Sequence, residues 1–276
     1  NTGKIKESVS KFIRIVEHPN RLNWKEVNSL IIATPTAFHA ANLIFALKNG
    51  AKKIYLEKPI SNTDTEIDEI TSLIDAVGAT VYVGYDLRYD PGLNRVKDII
   101  TRNEIGNVCS FHAHVGQYLP DWRGDQDYRK SMSASRSLGG GVMLDLSHEI
   151  DYLYYLFGEV EYVANSNGKR GNLIIETEDT SDSLAFFKDG LSGTIHLDYL
   201  QKPAIRFLHI IASRGTLHLD LIKHLLTWSN NDSVIPNTMD YRNYNRNDRF
   251  LEIMSDFVSP KPSKKLCTWS EGIKSL

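Results

Sequence analysis

Asp145 and His148 stand three residues apart in the stretch G-G-G-V-M-L-D-L-S-H-E-I-D at 139–151, and a carboxylate near an imidazole can move protons. Around them Val142, Leu146, Ile150, Leu153 and Phe157 recur at helical spacing, which predicts one helix with a buried stripe, stopped at Gly158. At about 100° per residue, Asp145, His148, Tyr152 and Tyr155 fall together on a different flank of that helix. The commoner use of Asp and His at this spacing is a satisfied ion pair, so the segment needs support from elsewhere in the chain. Three consecutive glycines add some, because they lower helix propensity and stand where backbone approaches a ligand or turns sharply.

Other residues with usable chemistry lie at the predicted ends of strands. Thr34 and Thr36 flank Pro35 where the apolar strand S-L-I-I-A at 29–33 gives way to a helix ending at Gly50. Hydroxyls and free backbone N–H groups there suit a phosphate or ribose, and an ordinary helix cap would use the same residues. Glu57 and Lys58 close a second strand at 53–56, with Pro59 behind them. A lysine at the mouth of a sheet serves as electrophile or proton carrier, or the charged pair is simply solvated. In the loop 119–138, Trp122 and Tyr128 offer stacking faces, while Arg123, Arg129, Asp121, Asp125 and Asp127 offer hydrogen bonds. Polyols want that mixture, and a subunit contact would use it equally well. His112 and His114 face the same way on a strand predicted over 108–118, but no third ligand stands near them in the sequence, so no metal site is expected.

The frame for these residues is legible in outline. Strands at 29–33, 53–56 and 80–84 alternate with helices up to Gly50 and over 62–77, the grammar of a parallel sheet whose ligands sit beyond its carboxyl ends. Another helix is read over 4–17. After Tyr85–Pro91 comes a helix to about 103, then antiparallel strands at 160–164, 173–175, 183–187, 191–199, 207–212 and 216–220. Turns fall at 188–190 and 213–215, a polar loop at 231–247 and a last helix at 246–258. The expected fold is α/β plus α+β: a partial Rossmann domain over 1–85, then a mostly antiparallel, helix-flanked domain over 86–276. The open face of its sheet would be covered in a homodimer or homotetramer.

Composition excludes several classes of function. With 276 residues, 41% hydrophobic and 24% charged, the chain is ordinary globular material. A formal charge of -2 and dispersed basic residues give no case for nucleic acid or anionic membrane. No apolar run is long enough to span a bilayer and no secretory leader is read. Cys109 and Cys267 cannot make a disulfide framework, so a reducing cytoplasm is the expected compartment.

Taken together, A-T-P-T-x-x-H at 33–39, E-K-P at 57–59, R-Y-x-P at 88–91, the glycine–Asp–His stretch at 139–151 and E-D-T at 178–180 follow the order of a known family. The chain resembles the glucose–fructose oxidoreductase / inositol dehydrogenase (Gfo/Idh/MocA) family over nearly its whole length. That resemblance implies a Rossmann domain for NAD or NADP, an α+β domain, and oxidation or reduction of a sugar or cyclitol carbinol. It makes Lys58 the active-site lysine and Asp145 with His148 the acid/base pair. Thr34, Pro35, His39, Glu57 and Lys58 would line the dinucleotide. Arg88, Trp122, Arg123 and Tyr128 would join Asp145 and His148 around a sugar, nucleotide-sugar or cyclitol. A cis bond before Pro59 is implied as well.

Two features depart from the pattern. Many relatives space the Asp and His four apart, and the shorter spacing here looks like a subgroup tied to surface-glycan sugars. No G-x-G-x-x-G precedes the first strand. The chain is therefore expected to be a fragment lacking both edges of its cofactor domain and, as it stands, to bind NAD(P) poorly. The alternative implied by the family is a non-catalytic relative that senses a sugar or a dinucleotide.

Overall fold

Short β-branched and leucine-rich runs become strands where both of their faces can be covered, and the first part of the chain supplies such runs. In the computed structural model, which describes residues 16–231 and 235–276, β1 (Leu30–Ile32) leads through a 3-10 turn into α1 (His39–Lys48). β2 (Lys53–Leu56), α2 (Ile67–Val77) and β3 (Thr80–Val83) follow, and the three strands pair in parallel, Leu30 opposite Ile54 and Lys53 opposite Thr80. Leu43, Leu47, Ile54, Leu56 and Ile70 are fully buried between helices and sheet, each stabilising the fold by about 1.5–3 kcal/mol. The helix expected from residue 62 begins only at Ile67, after a turn in which Thr63 donates to Glu66. The helix read over 4–17 lies almost wholly outside the described residues.

Asp90 accepts from the N–H groups of Gly92 and Leu93 and so starts α3 (Pro91–Thr101), with proline at its first position. β4 (Val108–Gly116) comes next, then a loop of 3-10 turns, α4 (Val142–Asp145) and α5 (His148–Phe157). The remaining strands are β5 (Val160–Gly168), β6 (Thr180–Phe187), β7 (Ser192–Asp198), β8 (Ile205–Ala212), β9 (Gly215–Asp220), β10 (Leu225–Asn230) and β11 (Asn237–Asp240). They form one sheet in the order β11-β10-β9-β8-β4-β7-β6-β5, antiparallel except between β4 and β7. Leu93, Val96, Ile99 and Leu153 from α3 and α5 cover one face, meeting Phe111, Ala113, Leu208 and Ile210. Tyr162, Leu184 and Ile211 remain exposed, the last two on the other face.

Three expectations are corrected. Residues 173–175 alternate in burial but form no strand, because the backbone there bonds loop atoms instead: Ile174 N–H reaches Tyr128 Oη and Glu176 N–H reaches Ala134 O. The polar stretch at 231–247 contains β11, held on β10 with Leu225 opposite Asp240. After α6 (Arg246–Val258), the chain returns to the first sheet, which the division at residues 85 and 86 does not provide for. β12 (Cys267–Thr268) pairs antiparallel with β3, and α7 (Trp269–Ile273), started by a Thr268–Glu271 capping box, buries Trp269 in the first core. Ile253 and Phe257 of α6 pack on Tyr55 and Tyr89, tying the two sheets together. Among the described residues no helix is long and apolar enough to cross a membrane.

Candidate active site

The helix expected over 142–157 is broken, and the break builds the site. Glu149 N–H bonds Leu146 O instead of continuing the ladder, which frees the Asp145 carbonyl. Lys58, at the carboxyl end of β2, donates its ammonium to that carbonyl. Asp145 and His148 both line a cavity of about 610 Å³ together with Lys58 and Asp86. The expected four-residue wall is thereby reduced to two: Tyr152 is fully buried beneath it, and Tyr155 lies against Arg88 and Lys97 instead.

A hydrogen bond fixes one carboxylate of the site, and ion-pair contacts hold the other. Asp145 Oδ2 accepts from the Tyr199 hydroxyl at 2.6 Å. His148 Nε2 lies 3.4 Å from Asp86 Oδ1, Arg249 Nε lies 3.1 Å from Asp86 Oδ2, and the Tyr85 ring stands edge-on to the imidazole. His148 Nδ1 is buried without a hydrogen-bond partner. Burial holds the His148 pKa well below 6.5, and the charges of Lys58, Arg206, Arg249 and Arg246 hold it there too, so the ring is a neutral base at physiological pH. Burial also lowers the Lys58 pKa, while the Asp145 carboxylate opposes the shift.

Of the residues expected at the dinucleotide, Thr34 and Pro35 are exposed at the carboxyl end of β1, the end of the sheet where Lys58 also stands. Glu57 is half-buried, and burial raises its carboxyl pKa against the pull of Lys58. His39 is a correction: it is 1% exposed, and its ring nitrogens lie 2.7 Å from Pro59 O and 2.8 Å from Thr34 O. It pins two loops together and offers nothing to a ligand. Lys58–Pro59 is cis, as the resemblance implies.

Trp122, Arg123 and Tyr128 line the cavity. Arg88 does not, because its guanidinium is wholly buried on Asp151, 2.7 Å at the shortest, with Glu271 on its other side at 3.2 Å. The three glycines meet protein, not ligand: a Cβ on Gly139 would stand 2.8 Å from Ala37 N, and one on Gly141 2.3 Å from Glu178 Oε1. Sequence reading missed Asp86, Tyr199, Arg206, Arg246 and Arg249. Asp86 was within reach, since it follows the end of β3 as Lys58 follows β2; the others come from distant strands and helices with no local signal.

Two family models cover most of the chain. Residues 6–85 match the oxidoreductase family's NAD-binding Rossmann fold, and residues 93–218 match the GFO/IDH/MocA C-terminal domain. The chain belongs to the GFO/IDH/MocA oxidoreductase family. Curated relatives include Oxidoreductase P35 of Formosa agariphila, 27% identical over 74% of this chain and 63% of its own length. Another is the scyllo-inositol 2-dehydrogenase (NAD(+)) of Bacillus subtilis, 26% identical over 72% of this chain and 56% of its own length. This chain thus spans less than two thirds of either relative. In fold, it superposes on levoglucosan dehydrogenase solved with NADH and levoglucosan at a TM-score of 0.79, with 19% identity, 91% of this chain and 76% of that one covered.

Proposed function

We propose that this family member transfers a hydride between a nicotinamide dinucleotide, NAD or NADP, and a carbinol or ketone carbon of a sugar, nucleotide-sugar or cyclitol. The observation that carries this reading is the convergence of Lys58, Asp145 and His148 on one cavity at the carboxyl end of the parallel sheet. The residues there fit the group: Thr34 and Pro35 leave the end of β1 exposed, and Lys58, at the same end of the sheet, lines the cavity with its ammonium on the Asp145 carbonyl. Bound, the dinucleotide supplies the hydride acceptor or donor.

Everything else falls to side chains of this chain. Neutral His148 takes the carbinol proton, and the Asp86 carboxylate, 3.4 Å from Nε2, stabilises the imidazolium that forms. Lys58 stabilises the developing alkoxide, and in the reverse direction polarises the ketone. Asp145, steadied by Tyr199, accepts a hydrogen bond from a sugar hydroxyl and keeps Lys58 aimed through its carbonyl. Trp122, edge-on to Tyr199, gives the sugar ring an apolar wall. Arg123 and Arg246 also line the cavity, with no carboxylate in ion-pair reach among the described residues, which favours a substrate carrying a phosphate or carboxylate. A second copy would pack on the open sheet face, giving a homodimer or homotetramer.

The test is an NADH fluorescence titration on this chain and on a version carrying a G-x-G-x-x-G strand–helix unit ahead of β1, followed by an oxidation screen over cyclitols, hexoses, hexose phosphates and nucleoside-diphosphate sugars. Weak NADH binding is expected of the chain as it stands, and saturable binding with turnover on an anionic sugar is expected of the extended version, in which His148→Ala should keep the binding and lose the turnover. Absence of dinucleotide binding by both would remove the oxidoreductase reading. Binding without turnover on any of these compounds would favour a sensor.

A further inference from the structure

The open face of the large sheet carries a second constellation of chemically able groups. Ala113 and Val115 turn into the core, so His114 between them faces outward. In the parallel pairing of β4 and β7 it stands opposite His196, and Gly116 stands opposite Asp198. His196 and Asp198, two apart on one strand, share that face. Gly116 makes room, because a Cβ there would lie 2.1 Å from Asp198 Oδ2. The third ligand that His114 lacks in its own stretch of sequence is thus supplied by the neighbouring strand.

Each group is already oriented for a shared ion. Asp198 Oδ1 accepts the N–H groups of Leu200 and Gln201 at 2.6 and 2.5 Å, which leaves Oδ2 for the histidines. Oδ2 lies 3.1 Å from His196 Nε2 and 3.8 Å from His114 Nε2, and the three ligand atoms all lie within 4.8 Å of one another. Zinc bonds of about 2.0–2.1 Å in a tetrahedron hold ligand atoms roughly 3.3 Å apart, so small rotations close this set. His196 Nδ1 stands 2.6 Å from Asp182 Oδ1, the carboxylate–imidazole contact that places the ring proton on Nδ1 and turns the Nε2 lone pair outward. His114 Nε2 is buried with no hydrogen-bond partner, which is costly in the absence of an ion.

We propose that His114, His196 and Asp198 form a divalent transition-metal site of the zinc type, with Asp182 orienting His196 and a fourth position open to water. Two imidazoles select against magnesium and calcium, which take oxygen ligands. Bound there, the ion would clamp β4 to β7. Gly116 and Gln117, which line the sugar cavity, follow directly from the clamped segment of β4.

The experiment is calorimetric titration of zinc chloride into the chelator-stripped protein, repeated with cobalt chloride and visible absorption. One equivalent of zinc should bind, with the visible bands of tetrahedral cobalt. His114→Ala should weaken binding at least tenfold and abolish those bands, while Asp182→Asn should weaken it by about 10–100-fold as an orienting carboxylate does. His209→Ala, on the same face but outside the cluster, should change nothing. Asp198→Asn risks the loop that Asp198 holds, so His114→Ala carries the decision, with its metal-free melting curve as the folding control. Absence of stoichiometric zinc binding, or binding untouched by His114→Ala, would overturn the proposal.

Discussion

Two sets of buried charge lie one helical turn apart on α5 and are handled in opposite ways. Asp151 is wholly buried and fully engaged by Arg88, with both of its oxygens in the bond to the guanidinium and Glu271 completing the group. His148 has one nitrogen 3.4 Å from a carboxylate and the other unpartnered, in a cavity shared with a lysine whose pKa is lowered. The closed set joins α5 to α7 and so ties the sheets together. The open set leaves charge uncommitted where a ligand can reach it. Satisfied charges hold a fold in register, and unsatisfied ones mark where binding or chemistry makes up the deficit.

The largest test of this contrast is Arg88→Met. It leaves Asp151 buried and alone, and unfolding in urea should show a loss of about 3–5 kcal/mol. Adding Asp151→Leu should restore most of it. A double variant as unstable as the single one would mean that the pair does more than neutralise itself. Lys58→Met should do the reverse: turnover falls by about 10²–10³-fold as the alkoxide loses its cation, while the melting temperature holds or rises. Loss of folding with Lys58→Met would erase the distinction between the two sets.

A third test is pH. Because the folded-state pKa of His148 lies well below 6.5, the unfolded chain takes up a proton near pH 6.5 that the folded chain refuses. The His148 contribution to stability is therefore whole above pH 6.5 and is lost as pH falls from there toward the depressed folded pKa, and His148→Gln should flatten that slope. For the same reason the acid limb of kcat/KM should lie below pH 6.5. A limb at or above 6.5 would show an imidazole in the ordinary range and a site more open than the cavity suggests.

The closed set was the harder one to read. Arg88 lies in R-Y-x-P, and a charged residue in a family motif reads as a ligand group until its burial is known; nothing near it in sequence announces Asp151 or Glu271. His39 misled in the same way. Periodicity placed the parallel strands and the helix over 246–258 well, because apolar spacing reports burial directly. It failed at 146–147, where a lysine from β2 competes for a helix carbonyl, and at 173–175, where extended backbone bonds a loop. Those outcomes depend on residues far away in the chain. Lys58, Asp145 and His148 each had a plainer reading in the sequence, and it was the resemblance that joined them; all three line one cavity.

The smallest expected effect probes how the open set is steadied. Tyr199 donates to Asp145 Oδ2 at 2.6 Å, and burial with the neighbouring carboxylate holds its phenol pKa well above 10.0, so it stays a donor across the working range. Trp122 packs edge-on against the same ring and keeps it in place when the hydroxyl is removed. Tyr199→Phe should therefore cost about 1 kcal/mol of transition-state stabilisation, roughly a fivefold fall in kcat with the melting temperature unchanged. Steady-state kinetics on the substrate found in the screen would measure it. A fall beyond about 10²-fold would make Tyr199 a participant in proton transfer, since general acid–base groups act on that scale. The line between the two sets would then have to move, with a residue that looks satisfied in the resting protein belonging to the open one.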